Sequence, residues 1–275
     1  MRVTASNFFV QSFLIYIFCI FSVNAGVSHG TYFAFYLSDS YLDIAIDSRR
    51  TVDTAGGGTI IFDTQCKIFA LGSQAVFIAE GIISNSDARA PIFDGFPTAL
   101  ESYQAASPKN DLESAARLWA AKMIPHISAL YPVYRTLLDR RHDGEIVVGY
   151  FLGIDTDGKL AAISAKVLHT ANSSIFSPEI SRLRNGFTLL GPREMVMEFF
   201  AGASERANEA VRRIESESFG KADAERQMIL LKILVESVPK WIPDPGSGGD
   251  VAQIMFDAQS SRWRWFHRPE FCPNQ

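Results

Sequence analysis

The sequence has few of the residues that build metal and redox centres. Its 275 residues include three cysteines and five histidines. It contains neither a Cys-x-x-Cys pair nor a His-Glu-x-x-His motif, and the histidines are scattered, so we expect no metal site and no cofactor. Cys19 lies in an N-terminal apolar segment. For the other two, Cys66 and Cys272, we favour free thiols over a disulfide, because a large core does not need a cross-link.

A basic excess is also lacking. The formal net charge is -4, which argues against nucleic acid as a partner. The composition is 47% hydrophobic and 20% charged, so the chain can build a substantial core. An alternation of arginine and tryptophan at 262–266 permits RNA or membrane contact, but we favour a core hairpin with one aromatic face.

One long apolar run is present, from Phe8 to Val23, interrupted by Gln11 and Ser12. A basic residue precedes the run and a small residue ends the segment, as in a secretory signal peptide at residues 1–25. Sixteen residues are fewer than the roughly 20 that a spanning helix needs. We therefore predict a secreted or periplasmic protein, and the alternative is an uncleaved segment that anchors a membrane-associated structural component.

Four chemically distinctive positions follow in order. Thr31 opens an apolar strand at 32–36, Asp47 comes sixteen residues later, and Lys67 and Gly81 follow. A hydroxyl nucleophile needs a base, a charge that tunes the base, and N–H donors for the oxyanion. If Thr31 began the mature chain, its α-amine, with a pKa of about 7.7 to 8.0, would be a suitable base. Lys67 would keep that amine neutral, Asp47 would orient the lysine, and Gly81 would offer an N–H donor.

This order resembles the N-terminal half of a proteasome β-type subunit, in the N-terminal nucleophile (Ntn) hydrolase superfamily. Gly30-Thr31 and the triplet Asp47-Ser48-Arg49 have the family's spacing, and the loop before Lys67 is longer and contains three consecutive glycines. The resemblance implies that Thr31 is the nucleophile and, through its amine, the base. It implies that Asp47 and Lys67 tune the amine, that Gly81 forms the oxyanion hole, and that Arg49 supports the site.

The C-terminal part extends the resemblance. Asp244-Pro245-Gly246-Ser247-Gly248-Gly249 is similar to the family's Asp-x-x-Ser-Gly-Gly segment, which implies that Asp244 and Ser247 bind around the threonine amine. A glycine-rich turn into a strand is the alternative interpretation of the same residues. The chain departs from the family where Gly191-Pro192-Arg193 replaces a Gly-Ser-Gly segment, so one supporting serine is missing.

The resemblance implies an α+β fold, a four-layer αββα sandwich of two antiparallel sheets flanked by helices. We expect a short propeptide at 26–30 and a single domain at 31–275. The residue patterns predict helices at 97–106, from 111, at 193–217 and at 222–238, with Pro125 and Pro132 kinking or ending the second. Strands are predicted at 145–152, 159–168, 187–191, 251–257 and 261–267.

The function that these predictions favour is an exported threonine-type Ntn hydrolase, an amidohydrolase or threonine protease in the broad sense. It would cleave a peptide or small amide after autoprocessing, or signal-peptidase cleavage, exposes Thr31. We expect Tyr32 and the segment 84–97 to line the substrate pocket, and a homo-oligomer is compatible with the resemblance. A catalytically silent, proteasome-like binding or assembly module is the alternative.

Overall fold

The strands and helices are those of a mixed α+β protein. The computed structural model describes residues 26–29, 31–54, 58–106, 110–139, 144–190, 205–241 and 248–273. The strands are β1 Gly26–His29, β2 Phe33–Leu37, β3 Tyr41–Asp47, β4 Arg50–Thr54, β5 Thr59–Phe62, β6 Phe69–Ala70, β7 Ala75–Gly81, β8 Ser84–Asn85, β9 Phe93–Asp94, β10 Glu145–Ile154, β11 Leu160–His169, β12 Phe176–Arg182, β13 Gly186–Leu190, β14 Val251–Asp257 and β15 Arg262–His267. The helices are α1 Gly95–Ala105, α2 Leu112–Asp139, α3 Glu205–Ser218 and α4 Asp223–Trp241.

The described strands form three antiparallel sheets. The first has the order β12-β11-β10-β7-β6 and the second β13-β2-β3-β14-β15. The third is β5-β4-β1-β8-β9, with β1 as its central strand. The first sheet centres on the hairpin β10–β11, and the second ends in the hairpin β14–β15, as the alternating apolar patterns predicted.

Buried apolar side chains form three clusters. Phe33 and Ile44 of the second sheet pack against Val148 and Leu152 of the first, which forms the core between the sheets. The outer face of the first sheet packs on α1 and α2, where Trp119 is fully buried. On the outer face of the second sheet, buried side chains of β2, β3 and β14 pack against α4. Helices therefore cover the outer face of each of these two sheets.

Helix α2 runs through both of its prolines. Asp94 caps α1 by accepting from the N–H of Phe96, and α2 then continues from Leu112 through Pro125 and Pro132 to Asp139. The predicted interruption is confined to Tyr134, whose φ of -119° is not helical. Each proline removes one intrahelical hydrogen bond, but the buried face of α2 packs on the sheet along most of its length. That packing favours the continued helix. None of the helices in the described part of the chain is long and apolar enough to cross a bilayer.

A carboxyl group is buried between the second sheet and α4. Asp43 of β3 is fully buried, and within the described residues neither of its oxygens has a hydrogen-bond partner. The side-chain amide of neighbouring Gln253 donates to the carbonyl of Met228 in α4. Burial raises the pKa of Asp43 to about 8, and the nearby Gln253 amide and Ile44 N–H oppose this only in part. Asp43 is therefore neutral in the folded protein near pH 6.

We expect the stability of the protein to fall as the pH rises from about 5 to about 7. The unfolded chain loses the Asp43 proton near its ordinary pKa of 3.8, whereas the folded chain keeps it until about pH 8. Between these values the unfolded state binds fewer protons, so the linkage relation gives a loss of about 2 to 3 kcal/mol over two pH units. Urea unfolding of the wild type and of Asp43→Asn at both pH values tests this. Equal pH dependence in the two proteins would contradict it.

Candidate active site

The candidate site is built around a buried ion pair. Lys67 Nζ donates to Asp47 Oδ1 at 2.6 Å, and the two side chains are 4% and 1% exposed. Asp47 ends β3, and Lys67 lies in the irregular segment between β5 and β6. The same carboxylate accepts from the backbone N–H of Tyr32 at 3.0 Å and of Gly248 at 2.9 Å. Three donors from distant parts of the chain therefore fix the carboxylate beside the residue that follows Thr31.

Burial dominates the electrostatics of this pair. Removal from water lowers the pKa of the Lys67 ammonium, and the charges of Arg49 and Arg50 lower it further, while Asp47 opposes them. Burial also raises the pKa of the Asp47 carboxyl, against the effect of Lys67 and of the two backbone N–H donors. The pair therefore balances two buried groups of opposite charge, and removal of either would leave the other unpaired in a dry environment.

The register of the strand pairs on the two sides of Thr31 differs by one residue. The segment 26–37 runs antiparallel to the segment 41–54, first as β1 with β4 and then as β2 with β3. Three residues separate His29 from Phe33, whereas four separate Ile46 from Thr51. The strand that carries Asp47 therefore has one more residue than its partner where the chain passes from one sheet to the other. The carboxylate of Asp47 consequently accepts from the Tyr32 N–H, next to Thr31.

Strand β1 lies between β4 and β8, in a channel defined by the facing edges of these two strands. Its residues pair with β4 along the whole strand, from Gly26 opposite Thr54 to His29 opposite Thr51. On the other edge Ser28 pairs with Ser84 of β8. The segment predicted as a propeptide thus joins two strands that would otherwise expose their edges to each other. Strands β8 and β9 of the segment 84–97 follow β1 in this sheet, and the lining of a substrate pocket by that segment stays a prediction. The side chain of Tyr32, predicted to line the same pocket, is fully buried against α4.

Gly81 lies at the end of β7, three residues before the start of β8, the strand that pairs with β1. Its φ is +83°, and a Cβ atom at this position would lie 2.3 Å from the Ile146 carbonyl oxygen. Only glycine fits this position, because a side chain would be strained and would clash with the backbone of β10. The Gly81 backbone therefore carries no side chain that could cover its N–H.

The glycine segment before β14 wraps the triplet at the end of β3. Arg49 donates through Nε to Asp63 Oδ1 at 2.6 Å, and its backbone N–H donates to the Gly248 carbonyl at 3.0 Å. The Ser48 hydroxyl accepts from the N–H of Asp250 at 2.8 Å and donates to the Asp63 carbonyl. The hydrogen bond from Arg49 lowers the pKa of Asp63. Arg49 thus supports the site by joining two loops around Asp47.

The sequence prediction of two free thiols is wrong. Cys66 and Cys272 form a disulfide with a Cα–Cα distance of 5.0 Å, across 206 residues of sequence. Cys66 directly precedes Lys67, so the bond ties the C-terminal segment to the lysine of the buried pair. The prediction failed because it considered only whether the core needs a cross-link. Two cysteines form a disulfide when the fold brings them close enough, and here the fold brings the segments of Cys66 and Cys272 together.

Of the predicted site residues, the structure pairs Lys67 with Asp47, holds Asp47 against the N–H of the residue after Thr31, and places Arg49 beside Gly248. The catalytic roles of Thr31 and Gly81 stay predictions. Asp244, Ser247 and the Gly191-Pro192-Arg193 departure lie outside the described residues. Sequence reasoning missed Gly248 as a donor to Asp47 and Asp63 as the partner of Arg49. The glycine motif indicated Gly248, whereas no signal indicated Asp63. In the described ranges, no cluster of three or more potential ligands is arranged to hold a metal ion.

Comparison with known proteins adds no identification. No protein-family model matches the chain, and a search of curated proteins finds no match.

Proposed function

We propose that the protein is an amide-bond hydrolase of the N-terminal nucleophile type, with Thr31 as the nucleophile after cleavage of the Gly30–Thr31 bond. The observation that carries the proposal is the buried Asp47–Lys67 pair, held against the backbone N–H next to Thr31. A buried charge pair is a weak source of stability, so its retention beside a candidate nucleophile favours a chemical role. The proposal includes the four-layer αββα sandwich of the Ntn hydrolase fold, and the helices on the outer faces of the first and second sheets support it.

The proposed chemistry assigns one step to each group. The Thr31 hydroxyl attacks the substrate carbonyl and transfers its proton to the free α-amine, which gives a tetrahedral adduct. The protonated amine passes this proton to the leaving nitrogen as the C–N bond breaks, and the acyl group remains as an ester on the Thr31 oxygen. Water then hydrolyses the ester and regenerates Thr31. Lys67 keeps the α-amine neutral through its charge, Asp47 holds Lys67, and the backbone at Gly81 stabilises the oxyanion.

The position of β1 favours an extended peptide as the substrate. Release of this strand would leave β4 and β8 with unpaired backbone groups on facing edges. An extended peptide satisfies both edges by adding a strand, whereas a small amide would leave most of them unpaired. The channel directs the C-terminal end of such a strand towards Thr31.

The disulfide supports the export part of the proposal. Disulfides form and persist in oxidising compartments and are rare in the cytosol. The bond between Cys66 and Cys272 is therefore compatible with a secreted or periplasmic protein whose residues 1–25 act as a signal peptide.

The test is the N-terminus of the protein purified from its native host, by intact mass and N-terminal sequencing, beside Thr31→Ala. We expect the wild type to begin at Thr31 and the variant to retain Gly26, because removal of the hydroxyl removes the attacking atom. We also expect the processed wild type to cleave extended peptides and the variant to be inactive. A Thr31→Ser variant that keeps processing serves as the control for the hydroxyl.

Two results would change the proposal. If both proteins begin at residue 31, signal peptidase makes the cut, and the peptide assay alone decides the activity. If the wild type retains Gly26, the α-amine stays acylated and the catalytic proposal fails. The filled channel would then favour the second candidate, a silent binding or assembly module in which β1 remains part of the sheet.

A further inference from the structure

The proposed nucleophile and the proposed oxyanion donor belong to different sheets. Thr31 lies two residues before β2 of the second sheet, and Gly81 ends β7 of the first. Among the described strands, none of the first sheet pairs with a strand of the second. The third sheet pairs β1 with β8, but cleavage of the Gly30–Thr31 bond would separate β1 from Thr31. In the cleaved protein, the distance between Thr31 and Gly81 therefore depends on the side chains that pack between the first and second sheets.

The side chain of Tyr150 connects the two sheets near both residues. Tyr150 belongs to β10 of the first sheet, and its ring lies edge-on to the ring of Phe33, with 5.0 Å between the ring centroids. Phe33 begins β2, two residues after Thr31. The Tyr150 hydroxyl donates to Glu80 Oε1 at 3.1 Å, and Glu80 directly precedes Gly81. One side chain thus contacts β2 close to Thr31 and β7 close to Gly81.

Both contacts of Tyr150 are directional. The residue is 2% exposed in the apolar core between the sheets. Burial, together with the charge and the hydrogen bond of Glu80, raises the pKa of the Tyr150 hydroxyl, so the hydroxyl keeps its proton and donates. A hydrogen bond to a charged acceptor is stronger than one to a neutral acceptor. Edge-to-face packing of two aromatic rings stabilises beyond the area that it buries.

We propose that Tyr150 is a positioning residue that sets the distance between Thr31 and the Gly81 backbone. The inference rests on the proposed function for the roles of Thr31 and Gly81. Tyr150 acts through Phe33 on one side and through Glu80 on the other, and it takes no part in proton transfer. Its contribution is largest after cleavage of the Gly30–Thr31 bond, because β1 then no longer connects Thr31 to the third sheet.

The first test needs no catalysis and uses the full chain in the Thr31→Ala background. Two hydrogen-bonded amides report on the two ends of the link. The Tyr32 N–H donates to the Asp47 carboxylate, and the Ile82 N–H donates to a carbonyl of β10. We expect Tyr150→Phe to speed hydrogen exchange of both amides about 3-fold, because loss of the hydroxyl loosens both sheets at this end. The effect is modest because β1 is still attached in this chain.

A matched variant controls for the loss of a tyrosine hydroxyl. Tyr103→Phe removes a hydroxyl that donates to Asn110, outside the space between the sheets, and should leave both reporter amides unchanged. Faster exchange of the Ile82 amide alone would mean that the hydroxyl acts only within the first sheet, and this would overturn the proposal. Unchanged exchange of both amides would also overturn it, and so would an equal rise in the amides of α2, which indicates a general loss of stability.

The second test uses wild-type protein that begins at Thr31. Tyr150→Phe should lower kcat per titrated active site about 10-fold and leave KM within about 2-fold, because the edges of β4 and β8 that would pair with a peptide are unchanged. Phe33→Leu breaks the other end of the same link, so the double variant should lose about 10-fold and not about 100-fold.

Two outcomes of the second test would contradict the positioning role. An unchanged kcat in Tyr150→Phe is one, and independent, multiplying effects of Tyr150→Phe and Phe33→Leu are the other. If the wild type never begins at Thr31, the proposed function fails. The exchange measurement then still decides whether Tyr150 links the two sheets at this end.

Discussion

Replacement of Lys67 with methionine is expected to abolish peptide cleavage and to destabilise the fold by about 3 to 5 kcal/mol. Methionine fills much of the lysine volume but leaves the Asp47 carboxylate buried without its cation. Removing one partner of a buried ion pair destabilises a protein by about 3 to 5 kcal/mol. Loss of the charge that tunes the Thr31 amine is expected to reduce kcat/KM by about 10² to 10⁴-fold. Urea unfolding and the peptide assay measure the two effects separately.

A second substitution separates the structural from the chemical role of Lys67. Combining Lys67→Met with Asp47→Asn removes both charges, and the Asn side-chain oxygen can still accept from one of the two backbone donors, Tyr32 or Gly248. We expect the double variant to regain about half of the lost stability but none of the activity. Lys159→Met, at an exposed turn, should change neither quantity. If Lys67→Met unfolded at the same urea concentration as the wild type, the ion pair would not be shielded from water. If Lys67→Met cleaved peptides with the wild-type kcat/KM, Lys67 would have no role in the mechanism.

Local patterns predicted several elements correctly. The hairpin β10–β11 was predicted from two apolar runs joined by a turn at 155–158, and α2 was predicted because its apolar residues recur at helical spacing. The prolines were predicted to kink or end α2; the helix continues through Pro125 and is kinked at Tyr134, two residues after Pro132. The packing that supports the continued helix comes from strands both before and after it in the chain, which a local proline rule does not take into account.

The candidate site was predicted as a set of residues and not as a geometry. The resemblance gave Asp47, Lys67 and Gly81 their roles, but the register change that turns Asp47 towards the Tyr32 N–H depends on a count of residues across two strand pairs. A four-residue segment such as β1 carries too little pattern to predict a strand. Its place is determined by the exposed edges of β4 and β8, which no local sequence reveals.

Reduction of the Cys66–Cys272 disulfide, or its removal by Cys272→Ser, is expected to destabilise the protein by about 4 to 5 kcal/mol. The bond closes a loop across 206 residues, and the chain-entropy model gives a loss near the upper end of the usual range for so long a loop. Because Cys66 directly precedes Lys67, we also expect peptide cleavage to fall before global unfolding, as the lysine segment is released from the C-terminal segment.

Serine substitutions of the two cysteines, singly and together, test whether the loss of stability comes from the disulfide. Cys66→Ser, Cys272→Ser and the double substitution should unfold at the same urea concentration, because each removes the same bond, and a reducing agent should then have no further effect on them. Thermal and urea unfolding of the wild type, with and without the reductant, gives the reference. Rapid labelling of both thiols in the unreduced native protein would contradict the bond, and so would additive effects of the two single substitutions. Equal stability with lower activity would instead confine the role of the disulfide to the placement of Lys67.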